Sequence, residues 1–420
     1  MKRAGRLKVS MAIAVWFGVL GVANHTRAEQ YIVRGGQPQA EIVTAEEPVS
    51  SVTLAAAELQ KYLRKVSGAT LPVRTVTEIE PETAGGTSPV RIYVGASAHT
   101  ERLDITADGL KWGAYRIHSG DGWMALIGKD TVFTPRGIYG KNRGHWRTEG
   151  SKKWDEATGA YWRNPIGSRL WQNYNREFDL WSFEERGSLN AVYGFLRHLG
   201  VRWYMAGELG EVVPDKTTIA LPQINRTVRP DYKIRMVNYA TFNHGRNAPR
   251  RDAFLWALRQ GVNNPFGYHT HHGISNITRR EEIRKLHPEW FALYSGERKA
   301  EGKTAAACLS NPALLEENLR FVRFLFDMYD VPVVDVMPDD GFSSVCKCEH
   351  CRDKGTPERG RQGLLSDYVW DYVNRIALEV AKSHPGKYIK CGAYSTYWLP
   401  PEKIDRLSDN IIVYLVNARR

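Results

Sequence analysis

Cysteine is absent until residue 308; the chain's five are Cys308, Cys346, Cys348, Cys351 and Cys391. An odd count with three of them inside six residues is not the framework of a small disulfide-stapled fold. At 420 residues and 42% hydrophobic content, the chain buries enough core to do without one. Acids are missing from the first 28 residues, and beyond that segment no apolar run approaches the length of a membrane span. There is no HExxH and no nucleic-acid recognition motif. Scattered bases without such a motif describe a solvated basic surface, which excludes nucleic acid as the partner but remains compatible with an acidic glycan.

The acid-free start is itself informative. Lys2, Arg3, Arg6 and Lys8 precede the apolar run Met11 to Ala23, and Thr26 and Ala28 place small residues where a signal peptidase reads. Residues 1–28 are therefore expected to be a cleaved secretory signal. The expected location is secreted or periplasmic, with no stable membrane insertion after cleavage. Removing the five cations of this segment leaves 53 bases against 46 acids, so the formal +12 falls to about +7.

Residues 29–222 read as a small α/β sandwich. Tyr31 to Val33 and Glu41 to Val43 are short strands. From Ser51 the residues Leu54, Ala55, Leu59, Tyr62, Leu63 and Val66 recur at helical spacing until Gly68 ends the run. Arg91 to Gly95 is a further strand, and a hairpin turns at Ser119 to Gly122. A second helix is expected over Ser188 to Leu199. Between the two halves, residues 134–186 carry Trp146, Trp154, Trp162, Trp171 and Trp181 without strand or helix period. Two readings stand there: flat faces for sugar rings, or rings that glue a long ordered loop to its domain.

Pro222 to Pro230 reads as a linker, after which strands and helices alternate over 231–420. That order predicts a parallel sheet, and at this length a (β/α)8 TIM-like barrel, apparently incomplete at the C-terminus. Only six or seven strands can be counted before Arg420, so either the eighth strand, with any carboxylate it would supply, lies beyond it or the strand reading is short by one. Helices are expected over Asp252 to Gln260, Pro312 to Tyr329 and Leu364 to Ser383. Chemistry in such a barrel sits just past the C-terminal ends of strands. The residues there are Asn238 and Tyr239; Tyr268, His269, His271 and His272; Ser310 and Asn311; Asp339 and Asp340; Tyr394, Tyr397 and Trp398; and Asn417.

AAAELQKYLRKVSGATLPV, followed later by GSLNAVYGFLRHLGVRWYMAGELGEVVP, resembles the domain that precedes the catalytic barrel in family 67 α-glucuronidases and family 20 hexosaminidases. HTHHG, HPEWFAL with CLSNP, and MPDDGFSSVCKCEHC with SDYVWDYVNRIALEVA resemble successive motifs of the bacterial domain of unknown function 4838 family. The resemblance spans most of residues 40 to 417 and implies a glycosidase-like barrel, with the first domain as structural support. Family 20 enzymes place an adjacent Asp-Glu pair at a comparable strand end; here the pair is Asp339-Asp340.

Glycoside hydrolysis needs one carboxylic acid to protonate the leaving oxygen and a second group to stabilise or attack the anomeric centre. The expected pair is Asp340 as acid/base and Asp339 as its partner, with Gly341 letting the backbone turn so that one of them faces the cleft. Asn238, His269, His271, His272, Tyr394 and Trp398 are the expected substrate-binding residues. Cys346, Cys348 and Cys351 are spaced for zinc, with Cys308, Cys391 or His350 as fourth ligand, or for a disulfide. No cofactor is required by the chemistry, although a structural zinc fits the Cys loop. The expectation is a glycoside hydrolase-like protein with a carbohydrate substrate. The alternative is a non-catalytic carbohydrate-binding protein on a degenerate barrel.

Overall fold

The computed structural model describes residues 29–75, 89–135, 143–166, 171–235, 250–265, 272–298 and 306–416; the expected signal segment lies outside them. A fully buried strand, β1 (Ala40–Thr44), leads into α1 (Ser50–Ser67), whose Leu54, Leu59, Tyr62, Leu63 and Val66 all face the core. Each such side chain contributes about 1.5–3 kcal/mol by leaving water. The helix stops at Gly68, which takes the left-handed conformation (φ 79°) that its sequence position predicts.

The strands β2 (Val73–Thr75) and β3 (Val90–Val94) lie parallel on either side of β1. The hairpin β4 (Tyr115–Gly120) and β5 (Trp123–Gly128) continues the sheet, with β5 parallel to β3. Within the Trp-bearing insertion, α2 (Ser151–Thr158) forms. Then α3 (Gly187–Leu199) returns to pack beside α1 on the sheet. Its first residue is glycine because a Cβ there would stand 2.6 Å from the Gly128 Cα.

Asp130, just after β5, seats the start of α3: its carboxylate accepts from the Ser188 hydroxyl at 2.5 Å and from the Ser188 amide at 3.3 Å. Burial raises its pKa to about 6, against these hydrogen bonds, which lower it. A carboxyl whose folded pKa lies above its unfolded value of 3.8 stabilises the fold below that value and loses the contribution as pH rises through about 6. Asp130→Asn is therefore expected to gain on the wild type by up to about 3 kcal/mol between pH 4 and 6.5. Urea unfolding of both proteins at several pH values measures that difference.

The segment read as a linker is instead a strand. β6 (Asn225–Val228) pairs antiparallel with β4, giving the six-stranded order β6-β4-β5-β3-β1-β2. Its side chains are exposed or half-buried, so an edge strand imitates a polar linker in sequence. The next helix, α4 (Arg250–Arg259), puts Phe254, Leu255 and Leu258 into the N-terminal core, although the alternating pattern assigns it to the second unit. Arg259 ends it with a buried ion pair to Glu58 (2.9 Å, both 5% exposed) and a second contact to Glu211 at 3.2 Å. Removing one member of a buried pair strands the other, at a cost of about 3–5 kcal/mol. Arg259→Ala should lower the unfolding free energy by that amount in a chemical denaturation curve, whereas an unchanged midpoint would deny the pair its role.

The C-terminal unit is built on α5 (Pro312–Tyr329), whose bounds match the sequence reading. Asn311 caps it by accepting from the Leu314 amide, and Pro312 occupies its first turn. β7 (Val333–Asp335), α6 (Ser366–Ser383), β8 (Tyr388–Ala393) and β9 (Ile411–Leu415) follow, with β7, β8 and β9 parallel in that order. Among the described residues this sheet has three strands and no closed barrel forms. The further strands that the alternating order implies, over 232–239, 264–270 and 304–309, lie in large part outside the described residues; next to them the described residues form isolated bridges, Arg235 with Asn263 and Phe291 with Ala307. The architecture shown is thus mixed α/β.

The tryptophan insertion binds the two units together. Trp154 and Trp162 are buried in the C-terminal core, edge-on to Phe324, and the Trp162 Nε1 donates to Glu317 of α5 at 2.7 Å. Trp181 is buried as well, with the half-buried Trp171 tilted against it. Of the two readings of these rings, packing is the one found for Trp154, Trp162 and Trp181. No described helix is long and apolar enough to cross a membrane.

Candidate active site

The run Val331 to Met337 is apolar apart from Asp335, and Pro338 then withdraws the amide that a ladder would need, so β7 ends and the chain turns. Asp339 and Asp340 stand on that turn, and Gly341 completes it at φ 83°. A second segment is pressed against the strand end. At Gly273 a Cβ would lie 1.5 Å from the Asp335 carbonyl oxygen, so only glycine permits the approach. The close packing brings His272 to the two acids.

His272 sits in the left-handed region (φ 52°), where a non-glycine residue is strained. Its Nδ1 is 2.6 Å from the Pro338 carbonyl oxygen and its Nε2 is 3.5 Å from Asp340 Oδ1. A carbonyl oxygen only accepts, so the Nδ1–H donates to Pro338 and Nε2 is the ring nitrogen turned toward Asp340.

The adjacent carboxylates have opposite environments. Asp339 is 9% exposed, and the Arg279 guanidinium holds its Oδ1 at 2.8 Å. Burial raises its pKa, and Arg279 opposes the rise. The Asp340 side chain is 72% exposed. One acid is therefore fixed in place while the other has oxygens open to an incoming molecule.

Beneath them Asp335 is almost wholly buried. It accepts from the Met337 amide at 2.8 Å and from the Tyr414 hydroxyl at 3.4 Å, and Lys390 Nζ stands 3.5 Å away. Burial pushes its pKa up, with Lys390 the main opposing charge. Asp335 and Lys390 are register partners on β7 and β8. Sequence reasoning passed over Asp335, Lys390 and Arg279. The available signal was an acid and a base within two apolar strands, VVDV and YIKCG, since buried charges demand partners.

The β8 end lies alongside. Thr396 donates to the Phe342 carbonyl oxygen at 2.9 Å, tying the Tyr394–Trp398 segment to the loop that follows Asp340. Tyr394 and Trp398 are half-buried against the C-terminal core. Of the expected site residues, His272, Asp339 and Asp340 are thus brought together, with Tyr394 and Trp398 on the neighbouring segment. Asn238, His269 and His271 lie outside the described residues, as do Tyr239, Tyr268 and Asn417. Asn311 is occupied as the cap of α5.

Farther along the same loop are Cys346, Cys348 and Cys351, and their sulfurs and that of Cys308 lie within 4.8 Å of one another, with all four residues buried. None of the five cysteines is joined in a disulfide. Cys391 lies on β8 with its thiol toward the Gly392 carbonyl oxygen, and the His350 side chain is 63% exposed beside Glu349.

A family model described as a domain of unknown function (DUF4838) matches residues 205–419. The chain belongs to the DUF4838 family. The residues at the end of β7 and the cysteine cluster all fall inside the DUF4838 region. This DUF4838 chain is similar to the chitobiase of Flavobacterium johnsoniae at 11% identity and a TM-score of 0.38, covering 92% of this chain and 52% of that one. It is also similar to the GH20 exo-β-N-acetylglucosaminidase of Vibrio harveyi in complex with N-acetylglucosamine, at 12% identity and a TM-score of 0.27, covering 90% and 54%. The DUF4838 chain spans about half the length of these two proteins. No curated protein matches it.

Proposed function

We propose that this chain is an exported glycoside hydrolase-like protein acting on the glycosidic bonds of a polysaccharide or oligosaccharide. Asp340 is its acid/base and Asp339 the partner that orients substrate. The observation that carries the reading is the asymmetry at the end of β7: an open carboxylate 3.5 Å from His272 Nε2, beside a buried one held by Arg279 at 2.8 Å. Acid/base work needs a carboxyl that reaches the substrate and a route by which its proton is restored. With its Nδ1 proton directed at Pro338, His272 offers such a route through Nε2. Asp339, clamped on one side, is suited to accept from a sugar hydroxyl.

In this reading Asn238, His269, His271 and His272 hydrogen-bond sugar hydroxyls, while Tyr394 and Trp398 meet the apolar faces of the rings. A (β/α) barrel around the site is part of the proposal, supported by the parallel order β7-β8-β9 and by the helix α6 that joins β7 to β8. The basic, apolar and small-residue order of residues 1–28 supports export.

A second reading, a carbohydrate-binding protein without hydrolysis, is favoured by the exposure of Asp340. Its side chain is 72% exposed, whereas acids that protonate leaving groups are commonly sheltered by apolar walls. A panel of uronic-acid-containing and amino-sugar glycans separates the two. New reducing ends released from any of them are expected on the first reading; saturable binding with no release from any would support the second and sink the first.

A further inference from the structure

We infer that Cys308, Cys346, Cys348 and Cys351 are the four ligands of a structural zinc ion, a site separate from the carboxylate pair and independent of its function. Four thiolates at the corners of a tetrahedron with Zn–S bonds of about 2.3 Å stand about 3.8 Å apart. Cys308 Sγ lies 3.8 Å from Cys348 Sγ and 3.5 Å from Cys351 Sγ, and no pair in the set exceeds 4.8 Å. Bonded sulfurs would be about 2 Å apart, so these are the separations of ligands sharing one ion.

The surroundings are those of thiolates. The Leu293 and Cys348 amides donate to Cys346 Sγ at 3.2 and 3.4 Å. The Tyr368 hydroxyl accepts from the Leu309 amide at 2.9 Å, which frees its own hydrogen for Cys351 Sγ at 3.2 Å. Three donors aimed at sulfur are the outer shell that a metal-bound thiolate takes. The spacing C-x-C-x-x-C supplies three ligands from one loop, and Cys308 closes the site from a segment 38 residues upstream. The other two candidates for the fourth ligand are placed elsewhere: Cys391 on β8 and His350 toward solvent. With four protein ligands no position remains open, which assigns the ion to structure rather than catalysis.

Such an ion fastens the loop after Asp340 to the segment before α5, with Tyr368 linking both to α6. The test is elemental analysis of the full-length protein, purified without chelator and dialysed, together with its intact mass. About one equivalent of zinc and five thiols after denaturation are expected. Cys308→Ser and Cys346→Ser should each drop zinc below about a tenth of an equivalent, with Cys391→Ser keeping about one. Should the serine variants fail to fold, the wild-type protein still decides. Zinc below about a tenth of an equivalent after incubation with zinc, iron in its place, or a mass lower by about 4 Da from two disulfides would each overturn the assignment.

Discussion

Asp340→Asn is expected to lower kcat/KM on a hydrolysed glycan by about 100- to 10,000-fold, the usual share of a positioned acid/base, while leaving glycan binding in place. The amide keeps the shape and its place beside His272 but cannot give or take the proton. Because the side chain is 72% exposed and, among the described residues, its ion-pair contact is to a histidine ring nitrogen, the fold should not register the change. Asp339→Asn makes the contrast. It leaves Arg279 facing a neutral amide in place of the carboxylate it holds at 2.8 Å, at a position 9% exposed, so it should weaken binding and stability along with rate. Initial-rate kinetics on both variants separate the roles. If Asp340→Asn keeps full activity while Asp339→Asn loses it, the two assignments must be exchanged.

Gly273→Ala is expected to disturb stability and the site together. The added methyl would stand 1.5 Å from the Asp335 carbonyl oxygen and 2.5 Å from its carbon, and backbone cannot swing aside as a flexible side chain can. The segment must back away from β7. That movement withdraws the Gly273 amide from the Asp335 carboxylate and His272 from both Pro338 and Asp340. A loss at or above the upper end of the about 1–3 kcal/mol typical of overpacking follows. Gly341→Ala is the control. Its Cβ would meet nothing within 4 Å, so only the left-handed backbone is penalised, at about 1–2 kcal/mol. Denaturation curves giving equal losses for the two would refute the close approach.

Local rules carried much of the fold. Asn311, Pro312 and the apolar spacing through Tyr329 define α5 from end to end, and Gly68 and Gly200 stop α1 and α3 in left-handed conformations. What escaped depends on partners distant in sequence. Asn225 to Val228 is polar and looks like a linker until β4 pairs with it. A tryptophan ring reads alike whether it awaits a sugar or, as with Trp162, the face of α5. The order Asp339-Asp340 does not say which carboxylate is buried, because that is decided by Arg279, which reaches over from a segment 60 residues away. The C-x-C-x-x-C spacing likewise marked a soft-ligand cluster, but only tertiary packing brings in Cys308 rather than Cys391.

On the proposed function, the end of β7 both binds a glycan and cleaves it through Asp340. The most direct test titrates one glycan calorimetrically into wild-type and Asp340→Asn protein while following reducing-end release from the same samples. The prediction is dissociation constants within about threefold of each other, with release by the wild type falling at least about 100-fold in the variant. Equal release by both proteins, or no release by the wild type at saturation, would contradict it.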